Sequence, residues 1–82
     1  MTLNLYSVKD KYLDFTGPLM FKDDKVAIRW FEAQMKQKIE QDRVDPKYWD
    51  LYLVGTFNTE TGEITGSKQH EIQLIREGEG IE

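Results

Sequence analysis

Cysteine is absent from the 82 residues, which removes disulfides, thiolate zinc sites, iron–sulfur clusters and thiol nucleophiles together. It leaves the redox compartment unread. Histidine occurs once and proline twice, so clustered imidazole ligands and a proline-rich linker are also excluded. No stretch approaches the ~18 consecutive apolar residues of a spanning helix, and no basic segment followed by an apolar run opens the chain. The sequence therefore reads as a soluble, intracellular protein without a membrane partner.

A surplus of basic charge is missing too. The formal net charge is −4, and residues 9–47 carry nine Lys/Arg against eight Asp/Glu whereas residues 48–82 carry two against seven. An acidic total argues against non-specific duplex binding, which needs clustered cations to neutralise phosphates. With so few residues the chain has room for one core, and a partner covering part of its surface would add considerably to its stability.

Aromatic residues are plentiful: two Trp, four Tyr and four Phe. Leu3–Val8 alternates in the period of a strand. Tyr12–Phe15 and Leu19–Phe21 read as a second strand interrupted at Gly17-Pro18, and the proline places it at a sheet edge. Asp23-Asp24 offers a helix N-cap, and Ala27, Phe31, Met35 and Ile39 follow at helical spacing with Ile28 beside them. Asp45-Pro46 is expected to end this helix of about five turns, because the residue before proline is pushed out of helical geometry. Asp50–Phe57 alternates again as a third strand. Asn58-Thr59-Glu60-Thr61-Gly62 reads as a hairpin loop with Gly62 in the left-handed region. A fourth strand then starts at Glu63-Ile64 and resumes at His70–Ile75.

The expected fold is α+β, in the order β-β-α-β-β: a four-stranded antiparallel or mixed sheet with one helix packed on one face. A single domain over residues 1–76 is expected, with 77–82 as a flexible acidic tail. One helix covers one face only. If Leu3, Leu5, Leu51, Leu53 and Phe57 point toward it, then Tyr6, Val8, Tyr52 and Val54 form an uncovered apolar face. With Tyr12 and Trp49, these four are the candidate residues for a binding face or a homodimer interface.

No constellation points to catalysis. Ser7, Ser67 and the lone His70 stand in no nucleophile–base motif. Asp23, Asp24, Asp42 and Asp45 lack calcium-loop spacing and read as caps and solvated charges, so no metal site is expected. The glycines do not form a phosphate loop ahead of a helix, and no cofactor or small-molecule ligand is implied. Lys22, Lys25, Arg29 and Lys36 alternate with Glu32 and Glu40, the pattern of an ordinary solvated helix. Single-strand nucleic-acid binders combine aromatic platforms with nearby cations, and Lys9, Lys11, Lys22, Lys25 and Arg29 are the candidates for such contacts. An interface with a second copy is favoured over that reading, since these basic residues do not converge with the aromatics. The acidic second half supplies a further alternative, in which Glu60, Glu63, Glu71, Glu77 and Glu79 meet a basic host protein without nucleic acid. Trp30 and Trp49 are read first as the edge of a core.

Five blocks carry a family resemblance: Leu5-Tyr6-Ser7-Val8; Pro18-Leu19-Met20-Phe21-Lys22-Asp23-Asp24; Ala27-Ile28-Arg29-Trp30-Phe31; the run Trp49–Phe57; and Glu60-Thr61-Gly62-Glu63-Ile64. In this order and spacing the chain resembles the small nonstructural protein of Microviridae, the tailless single-stranded DNA phages, of gokushovirus type. The resemblance spans residues 5–64 and leaves 34–48 and the stretch after Gly66 uncovered. It implies a virus-encoded protein made in the host bacterial cytoplasm and acting in genome replication, single-stranded DNA production or packaging. It brings no catalytic motif, and it adds single-stranded DNA or another phage or host protein as a candidate partner.

Overall fold

A computed structural model describes residues 1–81, with the exception of the His70 side chain. Five strands and one helix follow in the order β1 (Thr2–Asp10), β2 (Leu19–Phe21), α1 (Asp24–Asp42), β3 (Trp49–Asn58), β4 (Ile64–Gly66) and β5 (Gln73–Glu77). Short 3-10 turns at Pro46–Tyr48 and Gln69–Glu71 lead into β3 and β5. The fold is α+β with an antiparallel sheet, as the sequence predicts. The expected fourth strand is two: β4 pairs with β3 at Gly55–Phe57 and β5 pairs with it at Asp50–Leu53, side by side on one edge. The sheet order is thus β2-β1-β3, with β4 and β5 sharing the far side of β3.

β2 lies at the edge, where proline requires it. The link into it stays attached to β1 because Thr16 replaces ladder bonds: its backbone N–H and its hydroxyl both donate to the Val8 carbonyl, at 2.9 and 3.0 Å, and the hydroxyl accepts from the Val8 N–H. The Ser7 hydroxyl donates to the Thr16 carbonyl at 2.7 Å. The expected hairpin after β3 also forms. Gly62 has φ 76°, its N–H bonds the Asn58 carbonyl at 2.8 Å, and the Asn58 side chain accepts from the Glu60 and Thr61 N–H groups.

Helix α1 begins at the expected cap, with the Asp23 carboxylate accepting from the Val26 N–H at 3.0 Å. It ends before the expected Asp45-Pro46 stop. Arg43 turns into the left-handed region (φ 53°, ψ 38°), its N–H bonding the Ile39 carbonyl, and Asp45 instead caps the 3-10 turn that opens β3. A side chain at that geometry is strained, and glycine is the usual residue there. Arg43 is exposed. Arg43→Gly is expected to raise the unfolding free energy by about 0.5–1 kcal/mol in urea titrations; an unchanged or lower midpoint counts against the strain.

The helix buries Ala27, Phe31 and Met35, the predicted stripe, against Tyr6, Val8, Leu51 and Ile81, with Phe21, Trp30, Ile39, Trp49, Leu53 and Ile75 around them. Two expectations are corrected here. The first concerns the tail: β5 runs to Glu77, the Gly78 N–H donates to the Trp49 carbonyl at 2.8 Å, and Ile81 is buried in the core. Residues 77–81 thus belong to the packed structure; Glu82 lies outside the described residues. The second concerns the faces of the sheet. Leu5 pairs with Gly55 but the next residue, Tyr6, pairs with Leu53, so Val54 is an extra residue in β3. Such a bulge reverses the relation between the alternating faces of the two strands. Tyr6 and Val8 consequently lie under the helix beside Leu53 and Leu51, while Leu3 and Leu5 share the opposite face with Phe57 and Gly55.

Candidate binding surface

Tyr6 is therefore no part of an open face. Its ring is 1% exposed, it meets Phe21 at a centroid distance of 5.9 Å, and its hydroxyl donates to the Asp24 carboxylate while accepting from the Asn4 side-chain amide. Burial first, and then the hydrogen bond to Asp24, push its pKa up to about 12. Val8 is buried in the same cluster. Trp49 stays on the helix side. There it lines a groove of about 300 Å³ with Trp30, Met35, Leu19, Gln34 and Lys38. Val54 is the half-buried bulge residue. Of the face predicted from alternation, Tyr52 alone is on the uncovered side.

The uncovered face does exist, with other residues on it. Pairing places Leu3, Leu5, Phe57, Met20 and Ile64 together at the end where β1 begins. Leu5 is shielded by its neighbours, but Met20 is 50% and Ile64 67% exposed. These side chains are aliphatic except for Phe57. The opposite end differs in kind. Phe15 bridges to Lys9 at the sheet edge and meets the Tyr52 ring edge-on at 5.5 Å, with the Lys9 ammonium 5.4 Å from the Phe15 centroid. Just beyond, Tyr12 packs on Tyr48 at 5.5 Å, and the Lys47 ammonium lies 5.2 Å from the Tyr48 centroid. Leu74, paired opposite Tyr52, completes this end and is 47% exposed.

The candidate cations do not form one patch. Lys9 and Lys11 belong to the aromatic end, where Lys11 is 3.9 Å from the buried Asp50 carboxylate. Lys22 follows the β2 residue paired with Asn4, and Lys25 and Arg29 are on the exposed part of α1 beyond it, at the other end of β1. Lys25 borders a depression with Asn4, Asp23 and Asp24, whose carboxylates already serve as helix cap and Tyr6 acceptor. Among the described residues no group of three or more His, Asp or Glu is placed to hold a metal ion. The His70 side chain lies outside the described residues. Sequence reasoning missed Phe15, Tyr48 and Lys47 as surface residues. The ring partners of Phe15 and Tyr48, Tyr52 and Tyr12, are distant in sequence, and only the aromatic excess hinted at them.

Together these features define a small one-helix α+β protein whose sheet is packed on one face and open on the other. No helix among the described residues is long and apolar enough to cross a membrane. The chain belongs to the Phage ORF5 protein family, whose model matches residues 3–79, and it is accordingly a phage protein. That match extends past Gly66 through β5 and Gly78. No curated protein and no solved structure matches the chain.

Proposed function

We propose that this is a nonstructural accessory protein of a gokushovirus-type phage that acts by binding and not by catalysis. It works as a homodimer in the host bacterial cytoplasm, in viral genome replication, single-stranded DNA production or packaging, with contact to single-stranded DNA. The observation that carries the dimer is the aliphatic end of the open sheet face, where Met20 and Ile64 remain half to two-thirds exposed next to Leu3, Leu5 and Phe57. A two-fold interface uses one self-complementary patch twice, and an apolar sheet face without a covering layer suits that use. The phage setting follows from the family, and the genome-related role from the resemblance of residues 5–64 to the Microviridae protein.

Light scattering on the purified protein is expected to give twice the chain mass. Met20→Glu with Ile64→Glu should raise the dimer dissociation constant at least about tenfold, since each charge would have to leave water in the interface. Both positions are exposed in the single chain, so the fold should tolerate the change. A wild-type protein that remains monomeric at high concentration would sink the dimer.

A further inference from the structure

Within that genome-related reading, on which this inference rests, the geometry points to the aromatic end of the open face as a base-stacking site for single-stranded DNA. Its parts are Tyr12 and Tyr48, Phe15 and Tyr52, and the lysines at positions 9, 11 and 47.

Tyr12 is the best-placed ring. It is 78% exposed, yet local bonds fix the turn that carries it: its N–H donates to the Asp10 carboxylate at 2.9 Å, and the adjacent Lys11 N–H donates to the Tyr48 carbonyl at 2.8 Å. An exposed aromatic on a braced turn loses little freedom when a base stacks on it. Phe15, 40% exposed, repeats the arrangement three residues along, against Tyr52. Each aromatic pair has a lysine ammonium over one ring, Lys47 over Tyr48 and Lys9 over Phe15. Stacking surfaces with cations beside them are what an unpaired nucleotide needs, its base meeting the ring and its phosphate the ammonium.

Charge decides which nucleic acid fits. Asp45 sits 3.6 Å from the Lys47 ammonium and Asp50 3.9 Å from that of Lys11, so two of the three cations are partly neutralised already. Phosphate attraction is weak here, and duplex DNA, whose bases are inaccessible to stacking, gains little. Binding should depend on the bases and only mildly on salt. With three lysines the slope of log affinity against log salt should be no steeper than about −2.

The test is fluorescence anisotropy with a labelled oligothymidylate, the same length of abasic backbone, and a duplex. The wild-type protein should bind the oligothymidylate and bind both controls at least about tenfold more weakly. Tyr12→Ala and Phe15→Ala should each lose about tenfold or more, whereas Tyr12→Phe, which keeps the ring, should bind as wild type. Tyr12 is exposed enough for the alanine variant to fold, which circular dichroism checks. Equal binding of the abasic backbone overturns stacking. Wild-type binding that both alanine variants retain overturns this site while leaving DNA contact standing. If no oligonucleotide is bound, the site and the DNA contact fall together, and the dimer is judged by light scattering alone.

Discussion

Replacing Gly78 by alanine should destabilise the protein by about 3 kcal/mol, near the upper end of the usual cost of forcing extra atoms into a filled space. For a domain of this size that corresponds to a melting temperature about 12–24 °C lower. A β-carbon at Gly78 would collide with the backbone carbonyl oxygens of Pro46 and Trp49. Neither oxygen has an easy retreat. Pro46 opens the 3-10 turn that feeds β3, and the Trp49 carbonyl accepts the Gly78 N–H at 2.8 Å. That bond carries the β3–β5 pairing one residue past Glu77, after which a turn from the Gly78 carbonyl to the Ile81 N–H (3.2 Å) returns Ile81 to the core. Alanine would push the segment out and uncover the core beneath Ile81.

Gly66→Ala serves as the control, because nothing lies within 4 Å of a β-carbon there. It should leave stability within about 0.5 kcal/mol of wild type, as surface substitutions commonly do. Thermal and urea denaturation of the two variants separate the alternatives. If Gly78→Ala melts like the wild type, the end of the chain is frayed and the packing of Ile81 contributes nothing.

How far the sequence is readable depends on whether the relevant contacts are local. The stripe of Ala27, Phe31 and Met35 is set by the helical repeat and lies where that repeat puts it. The Asp23 cap and the Gly62 turn depend on three or four adjacent residues, and both form as expected. The end of α1 is less legible: proline at 46 marks the place by which a helix must have stopped, and nothing in Arg43 marks where it does.

The sheet faces failed for a different reason. Alternation holds along β1, but within β3 the bulge at Val54 breaks it, leaving Leu51 and Leu53 on the helix side and Gly55 and Phe57 on the other, and a bulge belongs to the pair. One extra residue therefore reversed Tyr6, Val8, Leu3, Leu5 and Phe57 together. Glycine and glutamate near the C-terminus suggested disorder by composition. Yet Gly78 is used for the close approach of two backbones, which composition does not record. The candidate surface was legible as an open face with too many aromatics. Which aromatics occupy it was set by long-range pairings such as Phe15 with Tyr52.

Tyr6 is a core residue beneath the helix. Were Tyr6 on an exposed interface, Tyr6→Ala would weaken association and spare the fold. From its buried position it should instead cost about 3–5 kcal/mol of stability, as for other large aromatics removed from a core. It would also strip the Asp24 carboxylate at the start of α1 of its hydroxyl donor. Tyr6→Phe isolates the hydroxyl. It keeps the ring against Phe21 but deprives Asp24 and the Asn4 amide of their partner, at a cost of about 1–2 kcal/mol.

The same hydroxyl makes the fold sensitive to alkali. Burial and the neighbouring carboxylate favour the neutral phenol, raising its pKa from 10.0 to about 12 in the folded chain. The neutral form is therefore the one the folded state prefers. Its contribution is complete below about pH 10 and is lost as pH climbs toward 12. Urea denaturation between pH 8 and 12 should show that decline in the wild type. In Tyr6→Phe, which starts less stable, this component of the decline should be missing, and the late step in tyrosinate absorbance should vanish with it. Parallel alkaline limbs in the two proteins would mean that Tyr6 ionises as freely as in the unfolded chain, and the buried Tyr6–Asp24 contact would have to be abandoned.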